Sequence, residues 1–317
     1  MSSTSKRKAS GGSQAISKKV RDQMVNQRIA LTWGDAGENH AGMEMVGHMM
    51  KAGTGFTSVD LRAVQTTYEE KGFATEFVDL SLFEPADSPL VRATSGPDCD
   101  FGEEQDGQRR VDAAVLIVRN AIPAKAATAL GKELNALDWD TKYWDRRRQK
   151  VLNKHARSNL LFAHGKSQSP DYDKGKGTIY DIEKLPVLKE VEKRIWHKIK
   201  KGLRNSAGNT SWVPLICEGN NYFDASKCGI GYHGDSERTR VVCLSVGAKA
   251  YPMRWMWFHR GKMIRKPIEV RLNSGDVYMM SEKAVGQDWK KSSKCTLRHA
   301  AGADKYIKVQ EKWRKSS

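Results

Sequence analysis

Apolar and polar positions follow two different rhythms along this chain. In the first half, runs with a two-residue period alternate with runs of helical period. Residues 28–33 (RIALTW) predict a strand, after which Gly34 and Asp35 turn the chain. Residues 43–50 have the pattern of a helix. A second helix is expected from Ser58, a plausible N-cap, to about Lys71, with Gly72 ending it. Residues 75–80 read as another strand, and residues 84–110, rich in Pro, Gly and Asp, as a linker. Residues 113–118 (AAVLIV) form a buried-type strand. Pro123 then opens a helix whose apolar face carries Ala126, Ala127, Leu130, Leu134 and Leu137. Residues 141–183 are polar, basic and loop-like. Residues 185–203 predict an amphipathic helix with Val187, Val191 and Ile195 on one face.

From about Trp212 the rhythm changes to short β-type runs separated by turn residues: 212–217, 241–246, 253–259, 263–264, 268–272, 277–280 and 306–313. That spacing predicts a β sandwich or barrel. Trp255 and Trp257 fall on one face of their strand, the core face, with Arg254 and Met256 on the other. The expected organisation is a basic disordered tail (1–25), a small α/β segment with its linker (26–110), and a β-rich domain with flanking helices (111–317).

Composition adds partners and compartment to this picture. The chain has 317 residues and no apolar run long enough to cross a membrane, which needs about 18 or more. Its N-terminus lacks the apolar stretch of a secretory signal. Five scattered cysteines without a CxxC pair argue against a zinc ribbon and for a reducing, intracellular setting. The net charge of +17 favours a polyanionic partner, nucleic acid first. Lys6-Arg7-Lys8 could serve nuclear import. The segment Tyr143-Trp144-Asp145-Arg146-Arg147-Arg148 could face substrate and contact phosphates.

Candidate chemistry concentrates in the β-rich half. In Tyr232-His233-Gly234-Asp235, strand alternation sends the imidazole and the carboxylate to the same side. His299, near the far end of the β region, supplies a second imidazole. Two histidines and one carboxylate converging on one ion, with positions left open, form the facial triad of non-haem iron(II) oxygenases. Asp35, Glu38 and His40 crowd one loop and raise the question of a second metal site.

At this point residues 111–317, most strongly from 216 onward, resemble the AlkB branch of the 2-oxoglutarate oxygenases. The ordered elements are Asn220-Asn221-Tyr222, His233-Gly234-Asp235, Ser274-Gly275-Asp276-Val277-Tyr278-Met279, and His299. The resemblance implies a double-stranded β-helix (a cupin-like jelly roll) with flanking helices, a cofactor set of Fe(II) and 2-oxoglutarate, and molecular oxygen as cosubstrate. It also implies that Asn220 and Tyr222 hydrogen-bond the 2-oxoglutarate. The family's two closing arginines, six residues apart, are matched by Lys308 and Arg314, with lysine in the first position; a lysine holds a carboxylate as a point charge rather than as a fork. Glu237 stands where nucleic-acid-directed relatives use a carboxylate to read a flipped base. The expected reaction is oxidative removal of N-methyl groups from nucleic acid. A hydroxylase of protein or small molecules, and a non-catalytic nucleic-acid binder on a cupin-like scaffold, are the alternative expectations.

Overall fold

A computed structural model describes residues 26–94, 101–206 and 215–314. The expected basic tail, residues 1–25, lies outside them. The elements in chain order are β1 (Arg28–Gly34), β2 (Ala36–Glu38), β3 (Met45–Gly47), α1 (Ser58–Glu69), β4 (Thr75–Asp79), β5 (Leu82–Pro85), α2 (Pro89–Ala93), β6 (Gln108–Val111), β7 (Ala114–Val118) and α3 (Ala124–Asn135). There follow β8 (Lys142–Asp145), β9 (Lys150–Asn153), β10 (Ser158–Ala163), β11 (Ile179–Asp181), α4 (Pro186–Arg204), β12 (Ile216–Tyr222), β13 (Gly229–His233) and β14 (Val241–Gly247). The last are β15 (Tyr251–His259), β16 (Lys262–Met263), β17 (Ile268–Leu272), β18 (Val277–Met280), α5 (Glu282–Val285), β19 (Thr296–Gly302) and α6 (Asp304–Ile307).

The result is a mixed α+β fold dominated by antiparallel strands. One sheet has eight strands in the order β11-β10-β12-β1-β14-β18-β7-β4, and a second runs β13-β19-β15-β16 with β17 also paired to β15. Strict alternation explains how the layers meet. On β1, Ile29, Leu31 and Trp33 enter one core, together with Leu116 of β7, Val242 and Leu244 of β14, and the apolar sides of α1, α3 and α4. Ala30, Val115, Val241, Cys243 and Tyr278 point the other way. There they join Met253, Trp255 and Trp257 of β15 and Leu297 of β19 in a core between the two sheets. Helices thus cover one face of the large sheet and the small sheet covers the other. A third cluster, built on Tyr232, Met256 and Phe258, covers the outer face of the small sheet.

Local signals account for the helices. Thr57 caps α1 in a reciprocal box: its hydroxyl accepts from the Asp60 N–H, and the Asp60 carboxylate accepts from the Thr57 N–H. The cap is therefore one residue earlier than the sequence predicts. Buried Leu188, Val191, Ile195, Ile199 and Leu203 set the inner face of α4. The carboxylate of Glu133 receives the first free N–H groups of that helix, from Val187 and Leu188.

Four expectations change. Residues 43–50 are not helical: Met45–Gly47 pairs with Ala36–Glu38 as a short hairpin. The stretch 141–183 holds β10, a fully buried strand of the large sheet, besides the β8–β9 hairpin. Residues 306–313 form the end of α6 and a 3-10 turn rather than a strand. The division at residue 110 is not observed either. β1 lies in the middle of the large sheet, between β12 and β14, and β4 pairs with β7. These partners lie far away in sequence, and non-local pairing leaves no local pattern to read.

Candidate metal centre

The site is built where β13 meets β19. The two strands are antiparallel, with His233 opposite His299 and a register irregularity just before His233. Asp235 follows two residues on, its backbone N–H tied to the Val285 carbonyl. Gly234, between the two ligands, passes so close to Gly286 that a Cβ would stand 2.0 Å from its carbonyl oxygen. Glycine is required there by the approach of one backbone to another.

One oxygen of Asp235 faces both imidazoles: Oδ1 is 3.4 Å from His233 Nε2 and 3.6 Å from His299 Nε2. One ligand atom from each of the three residues lies within 4.8 Å of the others. The neighbours prepare these atoms for a cation. His233 Nδ1 lies 2.8 Å from the Gly231 carbonyl and 3.1 Å from that of His299. Carbonyls only accept, so Nδ1 donates to them and Nε2 is the ring atom turned toward Asp235. The other oxygen of Asp235 accepts from Arg238 Nη1 at 3.3 Å. Arg238 is buried, ion-paired with Glu218, and donates from Nε to the Ala36 carbonyl at 2.7 Å. Its side chain crosses β1 at Gly34, where a Cβ would stand 2.4 Å from the Arg238 Cδ.

Electrostatics point the same way. Burial pushes the Asp235 carboxyl up, but Arg238 and the two imidazoles outweigh it and hold the group well below the usual range. Burial and the neighbouring His233 lower the His299 imidazole, keeping it neutral and able to ligate. Two imidazoles and one carboxylate suit a divalent transition ion with positions left for other ligands. Among the described residues, this is the one cluster of His, Cys, Asp and Glu that could hold a metal ion.

The triad opens into a cavity of about 540 Å³ between the sheets. Asn220, Tyr222 and Glu237 all line it. Asn220 is fully engaged: its oxygen accepts from Arg157 Nε at 2.6 Å and Asn159 Nδ2 at 2.7 Å, and its amide donates to Glu218 at 2.9 Å. Burial raises Glu237 to about 7, with Arg238 opposing the rise and Asp235 and Glu218 adding to it. Lys308 and Arg314 are not brought to the cavity. Lys308 is exposed at the end of α6, and Arg314 is exposed beside Glu311.

The arginines that do line the cavity are Arg28, Arg157 and Arg238. Arg28 was missed because it belongs to an N-terminal strand read as a separate segment. Its signal was there: an arginine on the same strand face as Ala30 and Thr32, in an otherwise apolar run. His40, which lines the cavity, stacks on Tyr143 of β8, ring centres 3.7 Å apart, so the basic β8–β9 hairpin packs against a residue of the cavity wall. The Asp35, Glu38 and His40 group is not a second metal site. Asp35 is buried and its carboxylate is consumed by Thr239 and Arg240, including Arg240 Nε at 2.8 Å.

No protein-family model matches the chain. Over 285 residues it is 34% identical to the "Uncharacterized protein R156" of Acanthamoeba polyphaga mimivirus, a match covering 90% of this chain and 99% of the viral one. No helix of the described residues is long and apolar enough to cross a membrane. At that identity and coverage, the chain belongs to the family of the mimivirus protein.

Proposed function

We propose that this protein is an iron(II)- and 2-oxoglutarate-dependent oxygenase on a double-stranded β-helix, acting on N-methylated nucleic acid. The observation that carries the reading is the convergence of His233, Asp235 and His299, with their outward-facing atoms set by Arg238 and the Gly231 carbonyl, at the edge of a cavity between two sheets. His233, Asp235 and His299 would hold iron(II), which with 2-oxoglutarate and oxygen would supply the oxidising power to hydroxylate an N-methyl group, the product then losing formaldehyde and leaving N–H. The chain's own part is positional. His233 and His299 would offer their Nε2 atoms and Asp235 its Oδ1, while Arg238 holds Oδ2 by a hydrogen bond. Glu237, raised to about 7 by burial, lines the same cavity, and a carboxyl there suits the reading of a base.

A net charge of +17, with the basic β8–β9 hairpin stacked against cavity-lining His40, favours a polyanionic substrate over a neutral one. Anaerobic titration with iron(II) and then 2-oxoglutarate tests the reading. The full chain should bind one iron and develop a visible charge-transfer band. His299→Ala or Asp235→Ala should lower metal affinity by about 100-fold or more, and methylated single strands should release formaldehyde with the intact triad alone. Wild-type metal affinity in both variants would overturn it.

A further inference from the structure

We infer that Arg28, on the N-terminal strand, is the seat of a ligand carboxylate in this cavity, and that the distal carboxylate of the cosubstrate is held there rather than by Lys308 or Arg314. The ligand's identity rests on the oxygenase reading; the anion seat is read from the cavity itself.

Three arginines of the described residues are buried: Arg28, Arg238 and Arg240. Arg238 is paired with Glu218 and Asp235, and Arg240 with Asp35. Arg28, 1% exposed, has no such partner among the described residues. Its Nε donates to Ser245 Oγ at 3.2 Å. Its guanidinium carbon lies 4.4 Å from the Tyr251 ring centre and 5.9 Å from that of Tyr222. Its Nη2 is buried and has no hydrogen-bond partner. Aromatic faces and one hydroxyl satisfy a guanidinium only in part, and a cation removed from water needs an anion. Because Arg28 lines the cavity that also holds the triad, the missing anion can arrive with a ligand. A guanidinium offers two parallel donors to a carboxylate, which a lysine cannot. A two-ended acid, a keto acid at the metal and a second carboxylate at Arg28, meets both demands of one cavity.

The placement of β1 makes this a property of the N-terminus. β1 closes the large sheet between β12, which carries Asn220 and Tyr222, and β14, which carries Ser245. The chain beyond β19 forms α6 and a turn, so no C-terminal strand of the described residues takes that position.

The test is calorimetric titration of the full chain loaded with Mn(II), which binds without redox chemistry. Arg28→Gln should weaken 2-oxoglutarate binding by about 30-fold or more while leaving Mn(II) affinity unchanged. Pyruvate, a keto acid without the second carboxylate, should bind wild type and variant alike. The double variant K308A/R314A should bind 2-oxoglutarate within about twofold of wild type. Equal affinity in Arg28→Gln, or a comparable loss in K308A/R314A, would overturn the inference. Should Arg28→Gln not fold, Arg28→Lys keeps the charge without the fork; a loss of about fivefold or more supports the seat, and wild-type affinity sinks it. If wild type binds no Mn(II), the oxygenase reading has failed and Arg28 is tested alone with glutarate: binding lost in the Arg28 variant supports the seat, and binding indifferent to the variant refutes it.

Discussion

At the scale of single residues, the centre depends on groups that never touch a ligand. Arg238 is the clearest: buried, it neutralises Glu218 and orients Asp235 at once. Arg238→Met would strand two buried carboxylates, and we expect a stability loss of about 3–5 kcal/mol, measurable by urea unfolding together with weakened metal binding. Gly234→Ala drives a methyl group into the Gly286 carbonyl. It should destabilise the chain by about 2–4 kcal/mol and weaken metal binding by moving His233 and Asp235 apart; unchanged metal affinity would show that the two backbones can separate at little cost. The His-x-Asp pair and the distal histidine were legible in sequence, but not for the reason strand alternation offers: β13 ends at His233, and Asp235 is placed by the bond of its N–H to the Val285 carbonyl. Arg238 and Gly34 were not legible, since their complementarity exists only once β1 and the loop after β13 are side by side.

At the scale of elements, the helices could be read and several strands could not. α3 and α4 carry their own apolar stripes and were predicted nearly to the residue. β10, with the sequence SNLLFA, sits inside a polar stretch, and only its burial among β11 and β12 distinguishes it from a loop. The expected closing strand at the C-terminus gave way to α6 and a turn. That moved the proposed carboxylate anchor from one end of the chain to the other. The junction of α4 with the sheet contains a titratable link: His164 bridges Glu183 and the buried Glu192, which also accepts from Trp33 Nε1 at 2.8 Å. Burial lowers the imidazole's affinity for a proton, but the two carboxylates outweigh it, so its pKa in the folded chain is raised above the ordinary 6.5. Folding therefore favours the protonated form. The stabilisation is fully present below pH 6.5 and fades as pH rises through the folded value. His164→Gln should lower Tm at pH 5.5 and change it much less at pH 9; an equal shift at both would exclude the charged link.

At the scale of the whole molecule, the large sheet joins the first strand of the described chain to its later half. We expect one cooperative thermal transition, followed equally by far-ultraviolet and near-ultraviolet dichroism. Two separated transitions would show that residues 26–110 hold together independently. The sequence revealed the β-rich half and its His233, Asp235 and His299 cluster, but its helical and strand periods describe only neighbours along the chain. They carry nothing about Arg28 lying opposite both Tyr222 and Gly247. That pairing also has a consequence for how the protein is made. Both strands that flank β1 follow it in the chain by about two hundred residues, which is on the order of 10–40 s of synthesis. For that interval an apolar strand has no edge to join, and it is open to pairing with other chains. Synthesis should therefore depend on holdase chaperones more strongly than the charge of the finished protein would suggest.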